Sequence, residues 1–247
     1  MLKLLEEDQN VIRHLGYPKI VKLSIGSFMI KMVTAKTGFL EVIGPYLGRQ
    51  MGLEVPVNHL VLIDQDYYIL SEDLNQKGNF LSASQMFHMD EDSISLLNIL
   101  NLLKKNNMES NEINVIKMYL FDIFFHNLDR RLDNWGFLDY HIVMFDYDCM
   151  FGDDIEKSGL YFKNCLSMEK DLELFLKEAE EKYILLFQYY YTLFAPEQFN
   201  QIINQMASQL GIDFLVQEEI INLYLQHYQK IRNIYEIFTR KGEKYAR

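Results

Sequence analysis

The chain is short of most residues on which specialised folds and sites depend. Its two cysteines, Cys149 and Cys165, are too few for a disulfide framework or a cysteine-based zinc centre, and a reduced, cytoplasmic setting is expected. No apolar run reaches the ~18 residues of a membrane span: Asn98 and Asn101 interrupt the run at 96–103, and Lys117 and Asp122 the run at 115–125. The opening Met1-Leu2-Lys3-Leu4-Leu5-Glu6-Glu7-Asp8 turns acidic too soon for a secretion signal. Basic residues are scarce, 24 Lys and Arg against 35 Asp and Glu, for a net charge of −11. Such a surface repels phosphate backbones and anionic lipids, so neither a nucleic acid nor a membrane is expected as partner. There is no Walker-type Gly-Lys-Ser/Thr and no Gly-x-Ser-x-Gly elbow. The six histidines lack zinc-ligand spacing.

Apolar residues, by contrast, make up 49% of the chain and aromatics 14%, enough for a sizeable core. The character of the chain changes near residue 75. Residues 1–72 read as a small β-rich unit with one helix, and 73–247 as a helical unit carrying the polar site. In the first, Lys19 to Ile25 and Phe28 to Val33 form expected strands around a Gly26-Ser27 turn. A helix is expected from Phe39 to Met51, ended by Gly52, with Pro45 as a kink or break inside it. Two further apolar runs, Asn58 to Ile63 and Tyr67 to Leu70, form a hairpin across Asp64-Gln65-Asp66. In the second unit, helices are expected over 93–105, 114–126 and 170–194. The stripe Ile221, Tyr224, Tyr228, Ile231, Tyr235, Phe238 marks one more long helix.

Chemistry concentrates between Asn127 and Gly152. A buried helix delivers a charged loop, then a hairpin whose strands, Asn134 to Leu138 and His141 to Phe145, flank an Asp139-Tyr140 turn. That turn sets Asn134 opposite Phe145, so Asn134 and Asp146 share the open end of the hairpin. Directly opposed residues have Cβ atoms ~5 Å apart, near enough for an amide oxygen and a carboxylate to hold one hard cation such as magnesium. Asp148 adds charge on the same face. Asp129 lies in the preceding loop, placed to orient or deprotonate a hydroxyl. Metal oxygens beside a carboxylate base are what phosphoryl transfer requires.

The pattern Asn127-Leu128-Asp129-Arg130, then Asn134-Trp135-Gly136-Phe137-Leu138 and Phe145-Asp146, resembles the HipA-like serine/threonine kinases, in particular their cell-translocating kinase (CtkA) branch. The resemblance runs over roughly residues 19–152. It implies an α+β, two-lobed protein-kinase-like fold with a small β-rich N-lobe and a larger helical C-lobe. It also implies ATP and Mg2+ as cofactors and a Ser/Thr hydroxyl of a protein as acceptor. Asp129 falls at the family's catalytic base, Asn134 and Asp146 at its metal ligands. Lys31, in Phe28-Met29-Ile30-Lys31, falls at its nucleotide-binding lysine, and Glu41 at the glutamate paired with that lysine. Tyr68 to Asp73, with Glu72, falls at the hinge under the adenine. Two features depart from the pattern. Where the family has a glycine-rich phosphate-covering loop, residues Val11 to Pro18 hold a single glycine and no serine, and backbone cradles for phosphate need such residues. The interval from Lys31 to Glu41 is also short. The reduced loop keeps two alternatives open: a pseudokinase acting as a nucleotide- or partner-binding regulatory module, and a small-molecule kinase.

Overall fold

A computed structural model describes residues 2–13, 19–89, 95–152, 159–163 and 167–245. Residues 14–18 of the stretch matched to the phosphate-covering loop lie outside the described residues, as does Cys165.

The N-terminal part is an antiparallel sheet with helices on both faces. Its strands are β1 (Lys19–Leu23), β2 (Gly26–Val33), β3 (Asn58–Ile63) and β4 (Asp66–Glu72), in the order β1-β2-β4-β3. The first turn falls on Ser24-Ile25, not on Gly26-Ser27. Gly26 opens β2 opposite Leu23 with φ 143°, a conformation closed to residues with a Cβ. An N-terminal helix, α1 (Glu6–Arg13), covers one face of the sheet: Ile12 packs among Leu23, Ile30, Val61, Ile63, Tyr68 and Leu70. Asp8 and Arg13 fasten it, through the Ser24 N–H at 2.9 Å and through Asp64 at 2.9 Å.

The opposite face takes α2 (Ala35–Gln50), which starts earlier than expected because Thr34 caps it, its side chain accepting from the Thr37 N–H. Pro45 neither breaks nor ends this helix. A proline removes the hydrogen bond to the carbonyl four residues back, here that of Glu41. Asn58 of β3 supplies the missing donor, its Nδ2 lying 2.7 Å from Glu41 O. The helix closes at Met51, and Gly52 follows at φ 69°.

The C-terminal part is helical around a small second sheet. The chain passes through a single 3-10 turn, Leu74–Gln76, into β5 (Phe80–Ser82) and the short α3 (Ala83–Phe87). There follow α4 (Leu96–Lys105), α5 (Glu112–Phe125) and the hairpin β6 (Trp135–Leu138)–β7 (His141–Met144), which pairs with β5 in the order β5-β6-β7. Then come α6 (Met168–Glu178), α7 (Glu181–Leu193), α8 (Pro196–Leu210) and α9 (Phe214–Tyr245). The expected single helix over 170–194 is therefore two, turning at Ala179. No local breaker marks the turn; it lets α6 pack on α9 and α7 on α5. Pro196 begins α8 rather than merely ending what precedes it. Helix α5 is the hub, buried from Val115 to Phe125 except for Lys117, with Phe124 and Phe125 stacked among Phe187, Phe194, Phe199 and Tyr224. On α9, Ile220, Tyr224, Tyr228 and Ile231 are buried, while Ile221, Tyr235 and Phe238 are packed at the edge of the core.

Candidate active site

Lys31 projects from β2 toward α2, where its Nζ forms an ion pair with Glu41 Oε1. Glu41 is 2% exposed, held inside α2 by the Asn58 contact that Pro45 made available. The same ammonium meets Asp146 Oδ1 at 3.0 Å and Asp148 Oδ2 at 3.4 Å. Burial would lower the Lys31 pKa, but the three carboxylates outweigh it and the net shift is upward. Burial raises the Glu41 carboxyl, against the pull of Lys31, and the two aspartates add to the rise. With one ammonium against three carboxylates the cluster is net negative. Its ligand-capable oxygens lie within 4.8 Å of one another, an oxygen-only donor set that suits a hard divalent cation.

A second set forms where α5 ends. His126 adopts the left-handed conformation at φ 49° and stops the helix. Asn134 Nδ2 then donates to Asp129 O at 2.6 Å and to Asp129 Oδ2 at 3.1 Å. With its nitrogen so engaged, the Asn134 carbonyl oxygen is the atom left for a cation. Arg131 grips the Asp129 carboxylate in a fork, Nε to Oδ1 at 2.9 Å and Nη2 to Oδ2 at 3.2 Å. The hairpin has the register its turn dictates, Leu138 opposite His141 and Trp135 opposite Met144. Phe145 N–H donates to Asn134 O at 3.2 Å, so Asn134 and the residue before Asp146 meet at the open end.

Both sets face one cavity of about 570 Å³, within the roughly 300–1,000 Å³ of small-molecule sites. Lys31, Glu41, Asn134, Asp146 and Asp148 are among the residues that line it. Ile20, Met29, Pro56, Ile69, Leu74, Phe80 and Phe145 form an apolar slot, with Phe80 set edge-on to Phe145 at 5.6 Å. Glu72 also lines the cavity, but its carboxylate is engaged by the Val57 N–H at 3.2 Å and Lys77 at 2.7 Å. Asp129 is not part of the lining; it lies one hydrogen bond behind Asn134. Burial pushes the Cys149 thiol upward, as do its Asp148 and Asp129 neighbours.

Sequence reasoning missed the groups that hold these residues in place. Arg130, fully buried, donates through Nε and Nη2 to buried Asp122 of α5 and through Nη1 to Asn134 O at 2.8 Å and Phe145 O at 2.7 Å. It thus ties the helix, the loop and both strands of the hairpin together. The signal was available: an acid inside an otherwise apolar buried helix needs a cation within reach. Tyr147 is the second such group. Its N–H donates to Glu41 Oε2 at 3.4 Å, its hydroxyl to Met144 O at 2.7 Å, and its ring lies against Gly44 of α2. A Cβ on Gly44 would overlap that ring. Gly44→Ala is therefore expected to lower stability by roughly 1–3 kcal/mol; urea unfolding measures the effect, and an unchanged midpoint would show that α2 needs no close seat on Tyr147.

No protein-family model matches this sequence, and no curated protein matches it either. Solved structures do match. The fold is that of the HipA-like kinases, with an N-terminal antiparallel sheet and a helical C-terminal part. The proinflammatory kinase CtkA of Helicobacter pylori superposes with a TM-score of 0.64 at 15% identity, over 92% of this chain and 93% of that one. The toxin–antitoxin system HipA, HipB of Shewanella oneidensis, solved with its operator DNA, gives a TM-score of 0.56 at 11% identity, over 87% of this chain and 61% of that one. The chain is kinase-like in fold, as the motif resemblance implied.

Proposed function

We propose that this chain is an ATP- and Mg2+-dependent kinase that transfers the γ-phosphate to a Ser or Thr hydroxyl of a protein. The observation that carries this reading is the meeting of Lys31, Glu41, Asp146 and Asn134 on one cavity whose lining also includes the apolar side chains of Ile20, Met29, Pro56, Ile69 and Leu74. The slot accepts the adenine, beside the segment that ends in Glu72. Lys31, positioned by Glu41, holds the α- and β-phosphates. Asn134 and Asp146, with Asp148 nearby, hold Mg2+, which when bound neutralises charge on the β- and γ-phosphate oxygens. Asp129, behind Asn134, orients the acceptor hydroxyl and takes its proton. The acceptor oxygen bonds to the γ-phosphorus as the bond from that phosphorus to the β,γ-bridging oxygen breaks, and ADP leaves.

The fork of Arg131 on Asp129 favours a second reading, a nucleotide-binding regulatory module without transfer. Two measurements separate them. Mg·ATP at a hundredfold excess over Kd adds about 2.7 kcal/mol of stability, so thermal unfolding will shift upward in both cases and the shift will vanish in Asp146→Ala. Only the kinase will move label from γ-labelled ATP to protein. A shift without any transfer supports the module, and no shift at all removes both readings.

A further inference from the structure

Charge is missing from one long stretch of this chain. From Tyr183 to Gln229 there is no Lys or Arg, and the only acids are Glu197, Asp213, Glu218 and Glu219, although the chain as a whole is 24% charged. The stretch folds as most of α7, all of α8 and the first half of α9. Solvated helix faces usually mix acids and bases, whereas depletion of charge is the compositional mark of an interface. On α8 every exposed position after Glu197 is Gln, Asn or Ser.

The turn between α8 and α9 carries an apolar tip. Gly211, at φ 64°, closes α8, and the Ile212 N–H donates to Ala207 O at 3.0 Å. Asp213 then starts α9: its Oδ1 accepts from the Leu215 N–H at 2.7 Å and its carbonyl from the Gln217 N–H at 3.2 Å. Ile212 and Val216 pack on the core, but Phe214 and Leu215 between them are 64% and 71% exposed. The turn is hydrogen-bonded on both sides, so ordered backbone presents these two side chains. Association gains from such preorganisation, and burial of apolar surface is its main favourable term.

The charges around the tip choose the occupant. Asp213, Glu218 and Glu219 are exposed beside it, and the one cation that meets them, Lys36 of α2, lies 2.6 Å from Glu219. A second copy of this chain on the same face would set acid against acid. A partner with Lys or Arg among its apolar side chains matches both the tip and its rim. We propose that the α8–α9 hairpin, with Phe214 and Leu215 at its tip, docks a protein segment that carries apolar side chains flanked by Lys or Arg. No residue of this stretch lines the cavity described above, so the docking surface stands independently of phosphoryl transfer.

Selection of a phage-displayed random peptide library on the full chain, after depletion on the double variant Phe214→Ser with Leu215→Ser, tests it. Thermal unfolding checks that this variant melts with the wild type; Glu218→Lys, which reverses a rim charge, takes over where it does not. The enriched peptides are expected to combine apolar residues with Lys or Arg. By fluorescence anisotropy they will bind the wild type about tenfold tighter than the double variant. They will also lose affinity for Glu218→Lys, most of all at low salt. Enriched peptides without basic residues overturn the proposal, as do peptides that bind wild type and variants alike and a selection that yields nothing specific to the wild type. Sedimentation of the wild type as a dimer and of the double variant as a monomer overturns it too, by giving the tip to a second copy.

Discussion

Asp129→Asn will lower phosphoryl transfer from γ-labelled ATP by about 100- to 10,000-fold, the range over which a positioned general base contributes, and will leave Mg·ATP affinity nearly unchanged. The geometry separates the two effects. Asp129 is absent from the cavity lining and is hydrogen-bonded to Asn134, which lines it, so a nucleotide in the slot is not expected to depend on it, while the acceptor hydroxyl of the proposed reaction does. An asparagine there keeps the shape and can still accept from Asn134 Nδ2, but its own amide would face the donors of Arg131. Arg131→Ala is therefore the necessary companion. It removes the fork and keeps the carboxylate, so its transfer rate is expected to fall much less. Steady-state label transfer and binding, measured on both variants, decide the matter. Equal rates in wild type and Asp129→Asn would take Asp129 out of the chemistry; equal losses in both variants would show that the fork, not proton transfer, is what matters.

Parts of this architecture were legible in the residues, and the reasons are local. The Asp139-Tyr140 turn has both residues at positive φ, 47° and 70°, and such a turn admits one register, so the placement of Asn134 beside Phe145 followed from the sequence. The hairpin at 58–72 was readable from its two apolar runs, although its turn is Asp64-Gln65 alone and Asp66 already pairs with Ile63. What escaped was set by partners distant along the chain. Pro45 reads as a helix breaker because nothing near it shows that Asn58, on another strand, will take over the orphaned Glu41 carbonyl. The turn at Ala179 escaped because its cause lies in which helix each half packs against. Glu72 lines the cavity, yet its carboxylate is claimed by Val57 and Lys77, a competition that no strand pattern announces.

The largest loss of stability is expected from breaking the Asp122–Arg130 pair. Both side chains are buried, at 1% and 0% exposure, and removing one partner of such a pair costs about 3–5 kcal/mol because the other is left charged and desolvated. Burial alone raises the Asp122 carboxyl, against the pull of Arg130 and of Asn127, so Arg130→Ala leaves an acid that holds its charge only at great expense. It also removes the Arg130 donor from Phe145 O and from Asn134 O, the two carbonyls that close the hairpin beside Asp146, although Asn134 O keeps the Phe145 N–H. Replacing both charges with apolar side chains, Asp122→Leu with Arg130→Met, removes the desolvated ion and is expected to recover most of the lost stability, as buried pairs often allow. It cannot restore those two hydrogen bonds. Denaturant unfolding should therefore show the double variant well above either single one, while Mg·ATP affinity stays low in all three. A double variant that regains binding along with stability would mean that the hairpin holds Asn134 and Asp146 in place without Arg130. A single variant costing under about 1 kcal/mol, the value of an exposed pair, would mean that water reaches what the packing encloses.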